Sequence, residues 1–566
     1  APAPAPAPAP ARRSSYSKLR RRQTCRAHKV CSACQLRFRP RPTTAHLASA
    51  MAAAAETAEV AVPAAVQLAA AAAAVGHPEA TAAAVVPAAT AALTATAAAG
   101  AGPAVVEGPG AQVVAWAESH GARVSRKVAF LQPGPHGDRC CMAASDIEET
   151  ENLVALPRAL AFETPPAQPL GVPPDLVALL LRVAEHEEVD RPAGRSLAVA
   201  LMLHYERMKG DASEFAPYID ALPACFPTMP SWEAAGAGEG GDHAAEEGAD
   251  AAELYRGTGV ERLVEAGAAL SGPEGVAMMR EAIARLDQEG MFWHHALRSD
   301  DDSVLRWAAA AVQSRAHSSK RGATALVPLA DSFNHSATNP NIELCERGDG
   351  FYVRALRPIK SGEELLLSYG PFSNAELLFN AGFTCERNPN DCLLLSRKDL
   401  VAAVGERWRA RGEEAPKDLA ARCELLTAGL PVPRLTAAAP LLGGAVPAEV
   451  VSALAGLSLD AETWREASLR AEASGKLVGI RERWASGGTA AEQLRGEVLS
   501  TLQVLVDGRL APRYRTPLAE DRARLEAASA ALASSPEGAC DAVTVRQLRR
   551  LNILRARIGE RRVLES

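Results

Sequence analysis

The sequence predicts an α+β chain behind an N-terminal region that cannot build a core. Three observations carry this. Short β-type segments cut by turn signals crowd into residues 314–383, helical periodicity fills much of the stretch before them, and helical patterns resume beyond residue 391. At 566 residues the chain is long enough for two or three domains with sizeable cores.

Residues 1–55 hold no Asp or Glu, and residues 12–41 supply eleven Lys and Arg. The rest of the chain then carries 50 basic against 67 acidic residues, about −17. So acidic a body is a poor nucleic-acid binder, which needs a basic face. The Ala-Pro repeat and the Arg- and Ser/Thr-rich, acid-free residues 1–50 have the composition of an organellar transit peptide. A disordered basic tail, or an extension upstream of Met51, are the other readings. Cys25, His28, Cys31 and Cys34 lack a second ligand pair at finger spacing, so no metal site is expected there. Residues 51–110 are Ala-rich and broken by Pro63, Pro78, Pro87 and Pro103, which reads as low-complexity linker and not as a membrane span. Eleven irregularly spaced cysteines point to a reducing compartment. Chloroplast stroma fits both signals, with cytoplasm or nucleus if the basic segment is not a transit peptide.

Within 314–383, the apolar run 325–329 reads as a buried strand and Phe351-Tyr352-Val353 as another. Asn339-Pro340-Asn341 and Gly348-Asp349-Gly350 are turn signals. Asn334-His335 follows one apolar run and Tyr369-Gly370 another, placing hydrogen-bonding groups at strand ends, where sites are commonly built. Five pieces stand in order here: Ser314-Arg315, Asp331-Ser-Phe-Asn-His-Ser336, Gly362-Glu-Glu364, Tyr369-Gly370 and Asn374-Ala-Glu376 with Gly382-Phe383. Together they resemble the C-terminal half of a SET domain of the Rubisco large-subunit methyltransferase group.

The resemblance implies an α+β architecture: a β-rich SET domain at 111–390 interrupted by a helical insertion at about 173–312, a core at 314–385, and an all-α substrate-binding-type domain at 391–566. Trp116 with Gly121, and the strand-like 126–131 and 153–158, resemble the domain entry. The Gly-rich turn of the group is altered to residues 133–142, where Gly137 and Arg139 stand in equivalent places beside Cys140 and Cys141. Helices are expected at 175–188, at 197–209 behind an N-capping Ser196, at 276–288 and at 303–313. A Gly/Ala/acid-rich stretch at 233–253 reads as a loop, and adjacent His294 and His295 would point about 100° apart on a helix, too far to share a metal. Beyond the core, helices are expected at 401–411, 461–474, 490–506, 518–532 and 543–557.

By the same resemblance the cofactor is S-adenosylmethionine (AdoMet). Tyr369 is the catalytic residue, and Arg315, Asp331, Asn334, His335, Phe383, Gly137 and Arg139 bind the cofactor. Read alone, Tyr369 is a core tyrosine with a satisfied hydroxyl, Asn334 a turn residue and His335 a core histidine. Glu363 and Glu364 read as solvated or structural rather than catalytic, and Cys385 and Cys392 as unligated. The expected activity is protein-lysine methylation in a plastid, on a protein such as Rubisco large subunit or aldolase. The substrate would dock on the C-terminal helical domain of a monomer, with no nucleic acid, membrane or metal involved. A catalytically weak protein-binding module and a histidine methyltransferase are the rivals.

Overall fold

The computed structural model describes residues 108–134, 139–164, 169–184, 191–226, 228, 255–265, 269–288, 297–299, 301–318, 323–427, 434–436, 448–466, 488–533 and 542–565. The transit-like segment, the Ala-rich stretch to 107, Gly137, the 233–253 loop and His294–His295 lie outside the described residues. The described chain is α+β, as the sequence predicts, and divides into two units. One holds residues 397–428 and 448–508, and the other holds the rest.

The larger unit is built on a six-stranded sheet. β1 (Arg123–Val124), β4 (Asn152–Pro157), β10 (Gly350–Ala355) and β9 (Ile342–Glu346) run antiparallel in that order, and β11 (Leu366–Leu367) and β8 (Asn334–His335) then add in parallel. Alternation drives the central strands: Phe351, Val353 and Ala355 face the core while Tyr352 and Arg354 look outward. β2 (Val128–Pro133) pairs with β3 (Arg139–Ala143), and this pair is tied to the sheet where Leu365 N donates to Cys141 O at 2.8 Å. A third sheet orders β5 (Phe162–Thr164), β7 (Thr324–Leu326) and β6 (His317–Ser318). The strand expected over 325–329 stops at Leu326. Pro328 follows and Leu329 takes φ +66, which turns the chain into a 3-10 turn at Ala330–Ser332.

The described residues between β5 and β6 form helices: α2 (Pro174–Ala184), α3 (Arg191–Met208), α5 (Gly259–Glu265), α6 (Pro273–Gln288) and α7 (Asp302–Arg315), with the short α4 (Ala216–Ala221) packed on α1 (Pro109–Ser119). Residues 197–203 of α3 are all buried. Ser196 is not its N-cap: the helix begins at Arg191, where Pro192 sits in the first turn and its missing N–H costs nothing. α7 is capped by Asp301, whose side chain accepts from Ser303 N at 2.7 Å.

α8 (Asn374–Ala381) follows the core, held by a reciprocal capping box between Ser373 and Glu376. β12 (Cys392–Leu394) and β13 (Arg434–Thr436) pair antiparallel. In the smaller unit, α9 (Arg397–Ala410), α10 (Leu419–Thr427), α11 (Ala448–Leu457) and α12 (Thr489–Leu505) pack together. There Arg407 and Arg411 flank Glu497 at 3.4 and 3.2 Å, and the buried Arg422 reaches Leu459 O at 2.7 Å. In the larger unit, α13 (Leu518–Ala533) packs on α14 (Ala542–Glu565), which runs eight residues past the expected end and also lies on α8.

Two buried carboxylates anchor α14. Glu560 accepts from Gly259 N at 2.7 Å and Tyr514 Oη at 2.6 Å, and Asp391, beside Gly559, accepts from Asn374 N at 2.9 Å. Burial pushes each up to about 7, against the pull of Arg262 on Glu560 and Arg562 on Asp391. Raised acids hold protons in the folded state that the unfolded chain has released. Their contribution to stability is therefore full below about pH 4 and is lost as pH rises toward 7. Glu560→Gln, which keeps an acceptor for Gly259, is expected to flatten that fall. Melting followed from pH 4.5 to 8 checks this, and parallel curves for the two proteins would contradict it.

Candidate active site

The parallel register brings the polar strand ends together. Leu366 pairs with Asn334 and Leu367 with His335, so Tyr369 emerges beside His335. Buried Asn341 locks this register, accepting from Leu366 N at 2.7 Å and donating to Glu364 O at 2.8 Å. Tyr369 N donates to His335 Nδ1 at 3.0 Å, and the two rings lie 4.7 Å apart. An accepting Nδ1 puts the proton of the neutral imidazole on Nε2. Burial drives this histidine down to about 4, with the Leu367 carbonyl opposing, so it is neutral at physiological pH. Its Nε2 is buried without a partner among the described residues.

The Tyr369 hydroxyl donates to Phe333 O at 2.8 Å, and the residue is 4% exposed. Burial raises the phenol well above its ordinary range, so it stays protonated. Phe383 follows Gly382, which ends α8 in the left-handed region at φ 80. Its ring meets Tyr369 edge-on at 6.1 Å and His335 at the same distance.

A second group borders these residues. Arg315 closes α7 and is buried; its Nη1 donates to Asp331 O at 2.8 Å and lies 3.9 Å from Asp331 Oδ2. Tyr218 donates its hydroxyl to the same Oδ2 at 2.7 Å. Burial raises the Asp331 carboxyl, and Arg315 opposes the shift. Arg315 Nε and Asp331 Oδ1 are buried with no partner among the described residues. A pocket is lined by Phe130, Leu131, Tyr218, Leu329, Asp331 and Arg315. Two of these, Leu131 at φ 54 and Leu329 at φ 66, hold the left-handed backbone that leucine avoids. Each costs roughly 1–3 kcal/mol, a strain that concentrates where a site needs its backbone bent.

Asn334 donates Nδ2 to Arg139 O at 2.9 Å and Glu364 Oε1 at 2.8 Å, joining β8 to β3 and to the lead-in of β11. Arg139 thus meets Asn334 through its backbone, while its guanidinium donates to Ala221 O. Glu363 pairs with Arg357 at 3.1 Å in the preceding turn, a structural role. Cys141 is buried against Ser332 O, and no cluster of three or more His, Cys, Asp or Glu among the described residues could hold a metal ion. The candidates on the described chain therefore form two neighbouring sets: Tyr369, His335, Phe383 and Asn334, with Arg139 behind, and Arg315 with Asp331. Tyr218, Asn341 and Glu364 as an Asn334 partner were not anticipated. Tyr218 reaches the site from the distant α4, while Asn341 and Glu364 sit in pieces read as a turn and a strand lead-in, whose side-chain bonds form only once the strands pair.

One comparison, with a family model, falls on this region. Residues 138–370 match the family model described as SET domain. Ribosomal lysine N-methyltransferase 4 of Schizosaccharomyces pombe is 33% identical over 103 residues, 18% of this chain and 22% of that protein. Actin-histidine N-methyltransferase of Xenopus tropicalis is 36% identical over 119 residues, 19% of this chain and 20% of that protein. The matched stretches thus span about a fifth of these relatives' own length. A solved structure described as Rubisco LSMT bound to AdoMet aligns with 81% of this chain and 90% of its own, at TM-score 0.49 and 18% identity. The SET-domain match takes in Arg315, Asp331, Asn334, His335 and Tyr369.

Proposed function

We propose that this protein is an AdoMet-dependent protein methyltransferase that acts on a lysine side chain. The observation that carries the reading is the buried, protonated Tyr369 hydroxyl, held on Phe333 O among the His335 and Phe383 rings at the end of two parallel strands. The residues fit the cofactor. Buried Arg315 Nε and His335 Nε2 have hydrogens to give, and buried Asp331 Oδ1 has a lone pair to give. AdoMet carries a carboxylate, an ammonium and an adenine with both kinds of edge. Asn334 spends both amide hydrogens within the protein, so its Oδ1 is what it offers, which suits the ammonium. Phe383 offers apolar surface to the adenine. When bound, AdoMet supplies an electrophilic sulfonium methyl.

The chain's own residues supply alignment and dryness. Tyr369 gives its hydrogen to Phe333 O, so toward a polarised C–H or an incoming amine its oxygen acts as an acceptor and not as a donor. As a neutral phenol it is an orienting group and not a base. Alignment of this sort can be worth about 7 kcal/mol or more.

The relatives include both a lysine and a histidine methyltransferase, and the histidine enzyme favours a second acceptor reading. Import into a plastid, a substrate such as Rubisco large subunit or aldolase, docking on the C-terminal helices and a monomeric state belong to the same proposal. They rest on the acid-free residues 1–50 and on the sequence resemblance. The full chain incubated with methyl-labelled AdoMet and plastid proteins is expected to label lysine. Label on histidine would favour the second acceptor, and AdoMet binding without any label would favour a protein-binding module.

A further inference from the structure

Phe383 sits between two asparagine clamps. On one side Asn374, the first residue of α8, brackets Cys385: its Nδ2 donates to Cys385 O at 3.0 Å, and Cys385 N donates to its Oδ1 at 2.8 Å. The other clamp comes from α14. Thr384 Oγ1 donates to Asn552 Oδ1 at 2.7 Å, and Asn552 Nδ2 donates to Gly382 O at 3.4 Å. Asn552 therefore grips the residues on both sides of Phe383 from about 170 positions away in the chain. Thr384 and Asn552 are both buried, so water cannot substitute for the lost bonds without a rearrangement. Leaving a left-handed glycine, the 382–384 turn has the conformational freedom to swing its ring, and the two clamps remove that freedom.

Ile553 and Ala556 of α14 are buried in one apolar cluster with Leu378 and Phe379 of α8. Packing already docks the helix there, and docking alone would not call for a buried amide aimed at the turn. A buried asparagine costs desolvation unless its bonds are made, and here they are made to the two neighbours of a site aromatic.

We propose that Asn552 of the closing helix is a positioning residue for the active site, holding the Gly382–Thr384 turn so that the Phe383 ring stands against Tyr369 and His335. Resting on the methyltransferase reading above, this makes the C-terminal helix part of the cofactor-binding apparatus as well as part of the packing. Thr384 is the second member of the clamp.

The test uses the full chain. Asn552→Ala and Thr384→Val are each expected to weaken AdoMet binding about tenfold by calorimetry, as loss of one or two buried hydrogen bonds would. Thr384→Ser, which keeps the hydroxyl, is expected to bind as the unaltered protein does. In a Phe383→Ala background, Asn552→Ala is expected to add no further loss, because its effect passes through that ring. Amide hydrogen exchange is measured on the same proteins without cofactor: Asn552→Ala should speed exchange across residues 379–386 and leave the rest of α14 protected. Unchanged affinity with a lower melting temperature would reduce Asn552 to a packing role and overturn the proposal. So would additive losses with Phe383→Ala. If the unaltered chain takes up no AdoMet, the cofactor reading of the site fails; the exchange experiment then still decides whether Asn552 holds the turn.

Discussion

Tyr369→Phe is expected to lower the rate of methyl transfer about 100- to 1,000-fold, with AdoMet affinity changed by no more than about twofold. The hydroxyl is the one group the substitution removes from a ring that packs against His335 and Phe383. Its hydrogen is committed to Phe333 O at 2.8 Å, and burial keeps the phenol protonated. On the proposed reading, what is lost is an oriented acceptor for the transferring methyl, a contribution larger in the transition state than in the ground state. Phe383 and His335 still face the ring, so the pocket keeps its apolar walls. Removing the donor also strands the buried Phe333 carbonyl, at roughly 1–3 kcal/mol of stability. Single-turnover kinetics beside calorimetry separates the effects. A Tyr369→Phe protein of normal rate would show that the hydroxyl serves packing alone.

The second large effect concerns the closing helices. Asp521→Ala is expected to destabilise the larger unit by about 3–5 kcal/mol. Asp521 is fully buried on α13 and accepts from Arg557 Nε of α14 at 2.9 Å, with Arg561 3.4 Å away. Thr516 joins the same network, donating to Asp521 Oδ1 at 2.7 Å and accepting from Arg557 at 2.6 Å. Truncating the acid takes the Asp521 charge away from the buried Arg557 guanidinium, which costs far more than the pair itself contributes. The double change Asp521→Leu with Arg557→Met, which removes both charges, should recover much of the loss. Denaturant unfolding of the three proteins checks the ordering. Equal stability of Asp521→Ala and the double variant would refute it.

The strand-end motifs were the readable part of the site. Asn334-His335 and Tyr369 each follow an apolar run, and parallel pairing of those runs is what sets the residues side by side. Phe383 was readable only through the resemblance carried by Asn374-Ala-Glu376 and Gly382-Phe383, and the helix that Gly382 ends was not foreseen. Tyr218, Asn341 and Asn552 were not readable, because their roles exist only once β9, α4 and α14 have packed. The bent backbone at Leu131 and Leu329 was hidden for another reason. Leucine gives no warning of a positive φ, and the apolar run at 325–329 suggested a longer strand than the backbone makes. Helix starts failed where two signals competed, as when Ser196 looked like a cap while Pro192 was the true opening.

All of these effects on activity presuppose a working cofactor site, so the most direct measurement is calorimetric titration of AdoMet into the full chain beside Asn334→Ala. Asn334 ties β8 to Arg139 O and Glu364 Oε1, and on the proposed reading its Oδ1 faces the cofactor ammonium, so alanine removes the ties and that contact together. Micromolar binding by the unaltered protein, abolished or weakened at least about tenfold in the variant, is the predicted result. An unaltered protein that binds no AdoMet, or a variant that binds it equally well, would contradict the methyltransferase assignment of this site.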